Sequence, residues 1–140
     1  MENQGIKIKE RKSKLWGLWK IMFPNVTMES MYLAFGDTIY IPEGKELPRD
    51  TQAHEMVHLY QQGLSKKTAL IWWVKYVFSK KFRYRQEIEA YREQFDFAKR
   101  NSKMSYKKLY AYRNWIVDMI TGKMYGNMAT REQALKDLDI

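Results

Sequence analysis

The sequence contains no cysteine, and only 2 histidines and 3 prolines among 140 residues. Without cysteine there is no disulfide and no thiolate metal site, so any metal held by side chains falls to histidine and carboxylate. The same absence suits a reducing compartment. Long apolar runs are also missing. Residues 15–23 are interrupted by Gly17 and Lys20, and residues 70–78 by Lys75. Both stretches fall short of the roughly 20 residues that a membrane-spanning helix needs. The first residues are polar and carry no signal-peptide pattern, so a soluble cytoplasmic protein is expected. The chain has no long Ser/Gly/Pro-rich stretch, no low-complexity segment and no internal repeat.

Carboxylates are scarce beside cations: 16 Asp and Glu against 25 Lys and Arg, a formal charge of +9. Lys7, Lys9, Arg11, Lys12 and Lys14 form one cluster, Lys66 and Lys67 a second, and Lys80, Lys81, Arg83 and Arg85 a third. No nucleic-acid motif organises them, so no specific nucleic acid is expected as a partner, and the clusters read as solvated faces. Residues 1–14 read as a basic N-terminal arm suited to an anionic surface.

What the chain does have is core-forming material: 45% hydrophobic residues, with 5 Trp, 10 Tyr and 6 Phe. That length and composition predict one domain over residues 1–140, burying roughly two-thirds of its unfolded surface. Leu15, Leu18, Trp19 and Met22 lie at helical spacing before Pro24, which predicts a short amphipathic helix. Residues 31–42 hold two apolar runs around Gly36-Asp37, the pattern of a β-hairpin, with residues 38–41 the better strand. Asp50 or Thr51 is placed to cap a helix running to Gln62, and Gly63 to end it. Ala53, Met56, Val57 and Tyr60 would bury that helix. Further helices are expected over residues 66–78, over 81–100 (continuous with the previous one or separate) and over 105–120, ending at Gly122. Thr130 with Gln133 matches a capping box opening a last short helix. The fold class is α+β and mostly helical, with a small antiparallel sheet.

His54-Glu55-Met56-Val57-His58 is an H-E-x-x-H pattern containing both histidines of the chain. By residue frequency such a triplet arises by chance in fewer than roughly one chain in a hundred of this length. Residues four apart share a helix face, so two imidazoles can reach one ion, while the glutamate beside the first stands next to the metal rather than on it. There Glu55 can take a proton from a zinc-bound water, whose pKa zinc lowers to about 7. A catalytic zinc wants a third protein ligand, which here must be a carboxylate. Glu87, Glu89 and Glu93 are candidates, and a helix can turn only one of Glu87 and Glu89 toward the site.

The segment Arg85-Gln-Glu87-Ile-Glu-Ala90-Tyr91 resembles the E-x-x-A-D or E-x-x-A-N segment of gluzincin peptidases. The order strand, H-E-x-x-H helix, then a helix with E-x-E-A-Y is similar to small gluzincin-like proteins of phages and bacteria, over residues 32–95. The resemblance implies one Zn²⁺ per chain on His54, His58 and Glu87, with Ala90 packing against the active-site helix. Tyr91 stands where the family has an acidic or amide supporting residue. An alternative register makes Glu89 the ligand and Glu93 its support. An oxyanion donor is also needed; Tyr91, Tyr84 and Tyr125 are candidates, and Tyr91 stands out by its register with Glu87.

These readings converge on a zinc metallopeptidase acting on a peptide or protein, with Glu55 as base. A zinc-bound protein without cleavage, or a basic module on membrane or nucleic acid, are the alternatives. The strand over residues 38–41 is expected beside the metal helix, its free edge taking up an extended peptide by strand addition.

Overall fold

The computed structural model describes residues 5–11 and 31–140. The amphipathic helix expected around Leu15 to Met22 lies outside the described residues, as do Lys12 and Lys14. The described elements are β1 (Lys7–Glu10), β2 (Leu33–Phe35), β3 (Thr38–Ile41), α1 (Arg49–Gln61), α2 (Lys66–Phe78), α3 (Lys80–Asn101), α4 (Tyr106–Thr121), a 3-10 turn (Lys123–Tyr125) and α5 (Arg131–Leu138). The chain is thus α+β and mostly helical.

The hairpin forms as its sequence predicts. β2 and β3 pair antiparallel with Ala34 opposite Ile39. Gly36 turns between them at φ +64°, a left-handed conformation that costs other residues about 1–2 kcal/mol. A side chain there would also meet the Lys66 backbone at 3.0 Å.

Within the basic arm expected over residues 1–14, the described residues include an unanticipated strand. Lys7–Glu10 is a strand paired parallel to β3, so the sheet order is β1-β3-β2 and the sheet is mixed. Lys7 Nζ lies 2.9 Å from Asp37 Oδ2 at the hairpin turn. Hydrogen bonds from Lys7 and then Thr38 hold the Asp37 carboxyl down at about 2. Arg11 is buried rather than solvated. One consequence reaches the site. β3 is the central strand and has no free edge, so it cannot receive a peptide by strand addition.

Helix boundaries follow local chemistry. α1 opens behind Pro48 with no side-chain cap, in place of the cap expected from Asp50 or Thr51; proline's fixed φ suits a helix start. Gly63 closes it at φ +73°. Ser79 is extended and its hydroxyl accepts from Phe82 N–H, which separates α2 from α3. Ser105 caps α4, and Thr130 accepts from Gln133 N–H at the start of α5.

Two apolar clusters hold these elements. Ala34, Ile39 and Leu59 join the sheet to α1, with Met56 and Leu64 packed against them. Tyr91, Phe95, Ile116, Val117, Ile120 and Leu138 belong to a larger cluster binding α3, α4 and α5. Among the described residues, no helix is long and apolar enough to cross a membrane.

Candidate metal centre

The face that α1 buries is not the one its apolar residues predict. Ala53, Met56 and Val57 are only partly covered and Tyr60 is exposed; His54, Glu55, His58 and Leu59 are buried instead. Burying three polar side chains is costly unless each finds a partner. The partner is α3, which crosses α1 and sends Glu87 into the same space, 1% exposed.

His54 Nε2 lies 3.1 Å from His58 Nε2. Glu87 Oε2 lies 3.3 Å from His54 Nε2, and Glu87 Oε1 lies 3.3 Å from His58 Nε2. Zinc–ligand bonds of about 2.0–2.1 Å at tetrahedral angles place neighbouring donors about 3.3 Å apart. The two imidazole nitrogens, and each one's nearer carboxylate oxygen, stand close to that spacing. The two 3.3 Å contacts are to different oxygens of Glu87, and one ligand atom from each of the three residues falls within 4.8 Å of the others. Glu89 is exposed and Glu93 pairs with Arg100 on the surface, so of the three candidate carboxylates only Glu87 joins the histidines.

The hydrogen bonds around the cluster leave its donor atoms turned inward. Gln61 Nε2 donates to Gln86 O at 3.1 Å and to Glu89 Oε2 at 3.0 Å. Its oxygen must then face His58 Nδ1, 2.8 Å away, so Nδ1 carries a proton and Nε2 is the nitrogen turned to His54 and Glu87. Tyr76 donates its hydroxyl to Glu87 Oε1 at 2.5 Å. Glu87 Oε2 has no hydrogen-bond partner although it is buried. Two imidazole Nε2 atoms and the Glu87 carboxylate thus face one another in a buried space, the residue types of a cation site.

Charge ties the three residues to one another. Burial alone would depress the His58 imidazolium, but the facing Glu87 carboxylate outweighs it and raises His58 to about 9. Burial would likewise raise Glu87, yet the two imidazoles push it well below the usual carboxylate range. The Glu55 carboxyl is pushed up, chiefly by burial. It is adjacent to the three donors but not one of them.

A cavity of about 350 Å³ opens on this cluster, with Met31 to Ala34 of the β2 side, Trp72 and Tyr76 of α2, and Trp115 of α4 among its lining. The rim next to the site is therefore β2 rather than residues 38–41. The Ala34 carbonyl on that rim already accepts from Gln62 Nε2 at 3.0 Å and Trp73 Nε1 at 3.2 Å.

Tyr91 follows Glu87 by one turn of α3. Its ring packs edge-on against His54, centroids 4.3 Å apart, and its hydroxyl bonds that of Tyr125 at 3.0 Å. Both line the cavity. Tyr84 does not: its hydroxyl donates to Asp137 at 2.8 Å.

Sequence reasoning passed over Gln61, Trp72, Tyr76 and Arg83. Arg83 reads as part of a basic face but is buried, its guanidinium donating to Tyr76 O at 2.6 Å and to Tyr125 O at 3.0 Å. It thereby ties down the backbone of two tyrosines beside the cluster. The one available signal was spacing: Trp72 and Tyr76 are four apart and share a face of α2. Compared with protein-family models, curated proteins and solved structures, the chain matches none.

Proposed function

We propose that the protein is a zinc-dependent metallopeptidase of the gluzincin kind, holding one zinc on His54, His58 and Glu87. The observation that carries the reading is the convergence of two imidazole Nε2 atoms and a buried carboxylate at 3.1–3.3 Å, at the wall of a cavity. Zinc bound there supplies a Lewis acid and a coordinated water of lowered pKa.

The chain's own residues account for the rest. Glu55 accepts, at its carboxylate, the proton released as water oxygen bonds to the peptide carbonyl carbon. It returns that proton to the amine nitrogen as the C–N bond breaks. Tyr76 and Gln61 hold the Glu87 carboxylate and the His58 ring in orientation. Tyr91 and Tyr125 carry two hydroxyl protons and use one in the bond between them; the other is available to the oxygen that gains charge in the transition state. The aromatic lining excludes water from the bond being cut.

Elemental analysis of metal-replete protein should give one zinc per chain, and a peptide library should be cleaved. Glu55→Gln should keep the zinc and lose cleavage by roughly 10²–10⁴-fold, since glutamine cannot accept the proton. A protein that binds zinc but cleaves nothing would be a binding protein instead. Wild-type zinc content in a His54→Ala/His58→Ala double variant would remove the metal centre altogether.

A further inference from the structure

α2 has two faces. Its inner face presents Ala69, Trp72 and Tyr76 to the protein. Its outer face carries Leu70 at 60% exposure, Ile71 at 56%, Val74 at 59% and Phe78 at 85%. Residues 70, 74 and 78 are successive turns of one stripe, and Ile71 lies beside them. Large apolar side chains left outside on one helix face mark a surface made for contact.

The border of this stripe is cationic. Lys66, Lys67 and Lys75 on the same helix are exposed, as are Lys80, Lys81 and Arg85 at the start of the next. Between Glu55 and Glu87 the chain contains no carboxylate at all. A second copy of the chain fits poorly, because a two-fold contact would set these cations against one another. A nucleic acid would engage the cations but leave the apolar side chains facing phosphate. A bilayer surface bearing anionic lipid satisfies both at once: acyl chains receive the apolar stripe and headgroups receive the lysines.

We propose that the outer face of α2 is a docking surface for anionic membrane, with Leu70, Val74 and Phe78 seated among the acyl chains and the bordering lysines on the headgroups. The helix lies in the interface and does not span it. The inference is independent of zinc and of cleavage.

Flotation of the full-length protein with vesicles tests it. Binding is expected to vesicles of phosphatidylcholine with about 30 mol% phosphatidylglycerol, and not to phosphatidylcholine alone, and it should weaken as salt screens the headgroups. Lys67→Gln with Lys75→Gln should lower partitioning on the order of 20-fold, each cation near the surface contributing about fivefold. Ile71→Glu with Phe78→Glu should lower it more than about tenfold while leaving the thermal midpoint unchanged, because both side chains are exposed. Equal binding to both vesicle types would overturn the proposal, as would undiminished binding of the glutamate variant, which would place contact elsewhere. Absence of vesicle binding would overturn it too. A lowered midpoint in the glutamate variant would then show the face covered by the chain itself. A dimer lost in that variant would show a second copy, and binding to a nucleic-acid oligomer would show that partner.

Discussion

Glu87 and Glu89 are two residues apart on α3, and the helix gives them different partners. Glu87 faces both imidazoles, whereas Glu89 accepts from Gln61, which in turn accepts from His58 Nδ1. One carboxylate is a donor to the cluster and the other orients an orienting residue. Glu87→Ala should therefore lose zinc at chelator concentrations that Glu89→Ala survives. Gln61→Ala should keep a stoichiometry of one but weaken zinc affinity by about 10–100-fold, the usual effect of removing a group that fixes a histidine ligand. Competition with a chromophoric chelator measures all three. Equal, mild effects of Glu87→Ala and Glu89→Ala would refer the third donor to another residue.

At the scale of elements, side-chain clamps decide how the pieces meet. Gln62, 1% exposed, accepts from Gly36 N–H at 2.8 Å and donates to the Ala34 carbonyl at 3.0 Å. It bolts the hairpin to the end of α1. Gln62→Leu keeps an apolar bulk but leaves the buried Gly36 N–H without this partner, so denaturant unfolding should show a loss of about 1–3 kcal/mol. Zinc stoichiometry should stay at one, because neither clamp atom belongs to the cluster. Loss of zinc in this variant would mean that the hairpin, not only α3, shapes the metal site. Arg83 is the corresponding clamp for α2 and the 3-10 turn.

Over the whole molecule, α1 belongs to the sheet cluster and α3 to the larger helical cluster. A metal on His54, His58 and Glu87 would join one to the other. An ion that binds only the folded chain stabilises it by mass action, about 2.7 kcal/mol at a hundred times its dissociation constant. For a domain of this size that corresponds to a rise in thermal midpoint of roughly 5–15 °C. Chelation should remove the rise, and His54→Ala/His58→Ala should not show it. A midpoint indifferent to zinc in the wild-type protein would count against a site bridging the two clusters.

Features set by neighbours in the chain were legible from residues alone. The spacing of His54 and His58 on one turn, the Gly36 hairpin, the Gly63 stop and the Thr130 cap each depend on a few consecutive residues, and helix or turn geometry reads them directly. The choice between Glu87 and Glu89 was not of this kind, because both fit α3 equally and only its packing against α1 turns one inward. Nor was β1, whose Lys-Ile-Lys-Glu composition looks like a solvated arm until β3, about thirty residues later, supplies its hydrogen bonds. The same holds for Tyr76 and Arg83, where one tyrosine among ten and one cation in a basic run gain their meaning only from burial beside Glu87. Local sequence set which groups could share a helix face; long-range packing decided which of them lost their water and met.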